Sequence, residues 1–147
     1  MNVLILCDSK FGNTRQLAEA MAAALKESHT VRLRSAADGL RETADVDVLL
    51  VGGPTQAHGA SKPLKEALRA VPEGSLIGKQ AAAFDTRFNL SRLLTGSAAA
   101  AADKLLKRAG ASIVAPAQSF FVTRDNPPVL GPGELERAAT WARGVVQ

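Results

Sequence analysis

Short apolar runs alternate with amphipathic stretches along this chain. Residues 46–51 read Val-Asp-Val-Leu-Leu-Val, continuous enough for a central parallel strand covered on both faces. Residues 2–7, 30–34, 80–84 and 112–122 complete a set of five expected strands, with 46–52 as the third. Residues 13–27 place Leu17, Ala18, Met21, Ala22 and Leu25 at helical spacing. Further helices are expected at 61–70, 97–109 and 133–146, and a short, weak one at 36–42.

Helix boundaries carry their own signals. Ser61 is placed to cap a helix with Pro63 in its first turn. Ser97 is placed to cap an alanine-rich helix that packs closely against the sheet and ends at Gly110. Pro132 and Glu134 open the last helix, where Trp141 and Val145 share a face, so Trp141 reads as core.

Regular strand–helix alternation predicts a parallel sheet with right-handed crossovers. The expected fold class is α/β: a three-layer, doubly wound, five-stranded parallel sheet, in one domain spanning residues 1–147. Such sheets bind ligands outside the carboxyl ends of their strands, at the topological switch point. That rule selects the loops after the first, third and fourth strands.

Composition narrows the partners. The chain is 46% apolar and 22% charged, the profile of an ordinary soluble globular protein. Its net charge of +4 is scattered, with no basic run interleaved by aromatics, which argues against nucleic-acid binding. No apolar run approaches the roughly 20 residues of a membrane span. No basic stretch precedes the first run, so a cytoplasmic location is the expectation. One cysteine excludes an internal disulfide; Cys7, ending a buried strand, reads as a small apolar filler. His29 and His58 alone give a zinc site little material.

The first loop holds the most specific chemistry. Ser9-Lys10-Phe11-Gly12-Asn13-Thr14 joins a buried strand to a helix. A helix N-terminus brings unpaired N–H groups and partial positive charge, which suits a phosphate. Gly12 lets the backbone approach an anion, and Ser9, Asn13 and Thr14 add side-chain donors. Neither a Walker A loop nor a dinucleotide G-x-G-x-x-G is present. Asp8 reads as a brace that accepts backbone N–H bonds of this loop. The second loop is Gly52-Gly53-Pro54-Thr55-Gln56-Ala57-His58-Gly59, and the third is Asp85-Thr86-Arg87-Phe88-Asn89. Asp85 and Arg87 suggest a loop ion pair.

In order and spacing, these three loops resemble those of the flavodoxin family, in its short form without a long insertion in the last strand. The resemblance implies strand order 2-1-3-4-5 and an FMN cofactor. It implies that Ser9, Lys10, Phe11, Gly12, Asn13 and Thr14 surround the phosphate. Pro54, Thr55, Gln56, Ala57 and His58 would lie along the isoalloxazine, and Thr86, Arg87 and Phe88 would close its opposite side. The implied role is electron transfer to a redox partner protein, or oxidoreductase action on a small quinone-like or porphyrinogen-like acceptor.

This chain departs from the family at the flavin end. It has no tyrosine, so an aromatic sandwich is not expected. Gln56 stands roughly where flavodoxins often place a Trp or Tyr. Ala57 stands where many have a glycine whose peptide bonds to reduced N5, and a Cβ disfavours φ > 0. The basic charge is also unlike the usual acidic flavodoxin, and Arg87 near the flavin would favour an anionic reduced form. Four assignments stay open. His58 is a flavin contact or a solvated histidine. Phe88 covers the flavin or anchors its loop, and Phe11 is exposed near the site or packed on the next loop. The chain as a whole is a redox protein or a binding module with weak FMN affinity.

Overall fold

The computed structural model describes all 147 residues. Its strands are β1 (Asn2–Cys7), β2 (Thr30–Ser35), β3 (Val48–Gln56), β4 (Gly59–Ala60), β5 (Gln80–Phe88), β6 (Ser112–Ile113) and β7 (Gln118–Val122). The helices are α1 (Asn13–Leu25), α2 (Lys62–Arg69), α3 (Arg92–Thr95), α4 (Ala98–Arg108) and α5 (Glu134–Val145), with a 3-10 turn at Ala36–Asp38. Parallel pairing runs β2-β1-β3-β5, and both β6 and β7 pair with β5. The expected fourth strand is β5 and the expected fifth is β6 with β7, so the strand order is the expected one.

Side-chain alternation divides each apolar run between two cores. Val3, Ile5 and Cys7 of β1, with Val48 and Leu50 of β3, pack under Leu17 and Met21 of α1 and Ala138 and Ala142 of α5. Leu4 and Leu6, with Leu49 and Val51, pack under Leu64 and Leu68 of α2 and the alanine face of α4. Ala98, Ala99 and Ala102 are fully buried, which brings the α4 backbone close to the small Ala81 and Ala83 of β5. Trp141 packs edge-on against Phe84 and Phe120, with ring centroids 5.8 and 6.1 Å away.

The expected fifth strand is not continuous. It pairs with β5 at Gln80↔Ser112 and Ala81↔Ile113, then again from Phe84↔Gln118. Residues 114–117 therefore bulge opposite residues 82–83 of β5. Pro116, which has no N–H to donate, lies in the bulge. The third and fourth strands, in contrast, run further than expected. β3 continues to Gln56 and β5 to Phe88, so much of the second and third loops is strand. The extension is paired: Gly53↔Asp85 and Pro54↔Thr86 continue the parallel ladder.

Candidate functional site

The start of α1 is an open donor array. No backbone N–H from residue 9 to residue 14 donates to a group of the protein; the chain's donors resume with Arg15 N–H to Ser9 Oγ and Gln16 N–H to Gly12 O. Gly12 sits at φ 86°, a left-handed conformation that turns the chain into α1. No acidic side chain occupies the first turn of α1 to take up these donors. Asn13 and Thr14 are buried and held: Asn13 Nδ2 donates to Pro128 O at 2.9 Å, and the Thr14 and Thr86 hydroxyls lie 3.3 Å apart. This array is suited to an anion, by its free donors and the partial positive charge of a helix start.

Two expectations at this end are corrected. Asp8 does not accept backbone N–H bonds of the loop; its carboxylate accepts a hydrogen bond from Ser61 Oγ. Ser61 accordingly makes no side-chain cap on α2, although it occupies the N-cap position. The short Ser61–Asp8 link ties the first loop to the start of α2. Cys7, just before it, is buried, and burial pushes its thiol up to about 11, so it stays a neutral apolar filler.

The second loop is a hairpin. β3 and β4 pair antiparallel at Thr55↔Ala60 and Gln56↔Gly59. Ala57 and His58 form the two-residue turn, at φ 48° and 65°. Two consecutive left-handed residues give the type I′ backbone that matches strand twist. Ala57 thus adopts the conformation that its Cβ disfavours, and the hairpin pairing holds it there. Both residues are exposed. The turn docks on Gly96, at φ 71°, where an added Cβ would lie 2.0 Å from His58 O. Only glycine fits that contact. Thr55 Oγ1 faces the start of α4 and accepts from Ala98 N–H at 3.1 Å.

The third loop supplies no ion pair. Asp85 is fully buried, and its Oδ2 accepts from Ser97 Oγ at 2.6 Å and from Ala99 N–H at 3.0 Å. It therefore serves the positive N-terminal end of α4, alongside the Ser97 cap on Ala100 N–H. Arg87 turns elsewhere. Its Nε donates to Ser119 Oγ at 2.8 Å and its Nη1 to Leu90 O, with the guanidinium 5.2 Å from the Phe121 ring. Arg87 thereby folds residues 88–94 back over the sheet end.

These elements enclose one groove of about 650 Å³. Every residue assigned to the cofactor from the sequence lines it except Gly12, whose backbone turns the chain into α1. Ser9, Lys10, Phe11, Asn13 and Thr14 form one end. Residues 54–58 form one wall, and Thr86, Arg87 and Phe88 form part of the other. Phe11 and Phe88 are 52% and 41% exposed, so neither ring is an anchor in the core.

Sequence reasoning missed Leu90, Leu94, Thr95, Val122 and Pro128, which also line the groove. Helix α3 had a readable signature, since Ser91 Oγ accepts from Leu93 N–H and Gly96 stops the turn. Val122 ends the last strand, a carboxyl end that lay outside the three selected loops. Nothing local marks Pro128, which reaches the site through its contact with Asn13.

No family model matches the sequence, and no curated protein matches it. Solved structures do. Oxidised Flavodoxin 2 from Bacillus cereus superposes with a TM-score of 0.80 at 19% identity, over 99% of this chain and 97% of that one. This is the flavodoxin fold. A flavodoxin from the domain Archaea has a TM-score of 0.76 at 18% identity, over 99% of this chain and 96% of its own. The rubredoxin oxygen:oxidoreductase from Desulfovibrio gigas superposes at TM-score 0.76 and 20% identity, over 98% of this chain. The chain matches 35% of that longer protein. No helix is long and apolar enough to cross a membrane.

Proposed function

We propose that the groove binds FMN and that the chain acts as a flavodoxin-like redox protein. The observation that carries this reading is the run of backbone N–H groups at residues 9–14, free of protein acceptors at the start of α1. A phosphate monoester is the part of FMN that such an array selects. The groove leading away from it is walled by Pro54, Ala57, Phe88, Leu90 and Leu94, apolar surface that suits a flat ring system. The flavodoxin fold supports the same assignment by analogy. Bound FMN supplies electron-transfer chemistry, and the protein supplies binding and electrostatics.

The chain's own residues shape what that group would experience. The groove lining contains Lys10, Arg87 and His58 but no aspartate or glutamate. Positive charge without a compensating carboxylate favours negative charge on a bound ligand. The role would be electron transfer to a redox partner protein, or reduction of a small quinone-like or porphyrinogen-like acceptor.

A binding module with weak FMN affinity is the second reading. It draws on residues 54–58, which offer no tryptophan, tyrosine or phenylalanine ring to that wall. Titration of the purified protein with FMN and with riboflavin, followed by flavin fluorescence, separates the two. Two or three charge-assisted hydrogen bonds at about 1.5–3 kcal/mol each predict FMN binding at least about 100-fold tighter than riboflavin. Submicromolar FMN binding supports the redox reading. Absence of binding at about 100 µM FMN, where an affinity near 6 kcal/mol would already register, overturns it.

A further inference from the structure

The mouth of the groove is unusually apolar for a surface. Ten large hydrophobic side chains are exposed in the whole chain, and five of them belong to this rim: Phe11, Phe88, Leu90, Leu93 and Leu94. Leu93 is 93% exposed and Leu94 66%, on a one-turn helix that Arg87 holds in place through Leu90 O. Exposed apolar surface gathered in one place marks an interaction site.

Cations outnumber acids around the rim. Lys10 Nζ lies 5.3 Å from the Phe11 ring, and the Arg124 guanidinium lies 6.0 Å from the Phe88 ring. Arg92 opens α3, and Arg87 stands at its base. None of these four cations takes part in any of the chain's seven ion pairs. The neighbouring acid, Asp125, is oriented by the Thr123 hydroxyl at 2.8 Å and pairs with no cation. Elsewhere on the surface, arginines do find carboxylates, as Arg32 and Arg34 do with Glu42 and Asp45. Eight other lysines and arginines are unpaired as well, so what sets this rim apart is that its cations surround exposed apolar side chains.

We propose that this rim is the docking surface for an acidic protein partner. Its apolar centre would cover Leu93 and Leu94, and its carboxylates would pair with Arg124, Arg92 and Lys10. A second copy of this chain would bring like charges together, and a basic partner would do the same. The proposal rests on the redox reading for what the partner exchanges, and on the rim's own residues for the contact.

The test uses an acidic plant-type [2Fe–2S] ferredoxin as probe, titrated into the 15N-labelled protein both without and with FMN. Basic cytochrome c is the control. Amide shifts should concentrate at residues 88–96, Phe11 and Arg124. Because exposed ion pairs are screened within about 8–10 Å near physiological salt, affinity should fall at least about tenfold from 20 to 200 mM salt. Leu93→Glu and Arg124→Glu, neither of which lines the groove, should each weaken ferredoxin binding at least about fivefold and leave the melting temperature unchanged. Shifts on another face, equal binding of cytochrome c, no shifts at about 0.5 mM ferredoxin, or a dimer that Leu93→Glu dissociates would each overturn the proposal. Failure of FMN to bind would remove the redox reading alone, since the apo titration still reports docking.

Discussion

At the α1 end of the groove, the main chain offers the free polar groups. The N–H groups of residues 9–14 have no protein acceptor, and the side chains of Asn13 and Thr14 are buried. At the α3 end, side chains and a strained turn form the surface. Ala57 and His58 are exposed at positive φ, and α3 is one turn held by Arg87 and by Gly96 against His58. A backbone array tolerates change in side chains, because its donors are common to every residue. A side-chain surface can be rewritten by substitution without disturbing the fold.

The largest expected effect tests the main-chain end. Gly12→Val places a β-branched residue at φ 86°, so the loop must rearrange. FMN affinity should fall at least about 100-fold, a loss of two charge-assisted hydrogen bonds, while riboflavin affinity changes little. If both ligands weaken equally in a fluorescence titration, the main chain does not recognise the phosphate and the comparison breaks.

Gly96→Ala tests the other end. The added Cβ meets His58 O at 2.0 Å, so α3 must separate from the turn. Stability should drop by about 1–3 kcal/mol in urea denaturation, the usual cost of overpacking. Riboflavin binding should fall with it, but the FMN-to-riboflavin ratio should persist. Loss of that ratio would show the two ends to be one unit.

Ala57→Gly should act in the opposite direction. It relieves a left-handed residue that carries a Cβ, worth about 1 kcal/mol against the added chain freedom of glycine. A small rise in the urea midpoint, with FMN affinity within about threefold, is the expected result. A lower midpoint would mean that the turn is not strained.

The smallest effect concerns the strand beneath both ends. Burial pushes the Glu134 carboxyl up, but the Arg137 guanidinium and Phe121 N–H together hold it below its ordinary value. A carboxylate lowered in the folded state adds stability above its unfolded pKa and loses it as pH falls through the folded one. Acid should therefore loosen the tie between α5 and β7 below about pH 4.5. Glu134→Gln should flatten the slope of stability against pH in that range. An unchanged slope would remove this carboxylate from the acid response.

The layers of the fold were legible because burial writes itself into local pattern. Val48-Leu49-Leu50-Val51 has apolar residues on both faces, and both faces are covered. The alanine-rich helix was legible through its cap and stop, Ser97 and Gly110. Strand ends were not. β3 and β5 extend each other through Gly53↔Asp85 and Pro54↔Thr86, a pairing that neither segment encodes alone. The break at residues 114–117 was misread because the apolar run hides it, although Pro116 is a local reason for it.

Asp85 and Asp8 teach the same lesson about chemistry. Each was read against its sequence neighbours, and each bonds instead to a residue brought by another element, Ser97 and Ser61. By itself, the sequence determined the alternating layers, the sheet end that carries the groove, and the donor-rich loop at residues 9–14. Those features follow from burial periodicity and helix-start chemistry, which act over a few residues. Tertiary structure alone decided that Ala57 and His58 turn left-handed, that Gly96 receives His58, and that α3 closes one side. Those outcomes depend on pairing and close contact between segments distant in the chain, where the energy lies in the fit of one element to another.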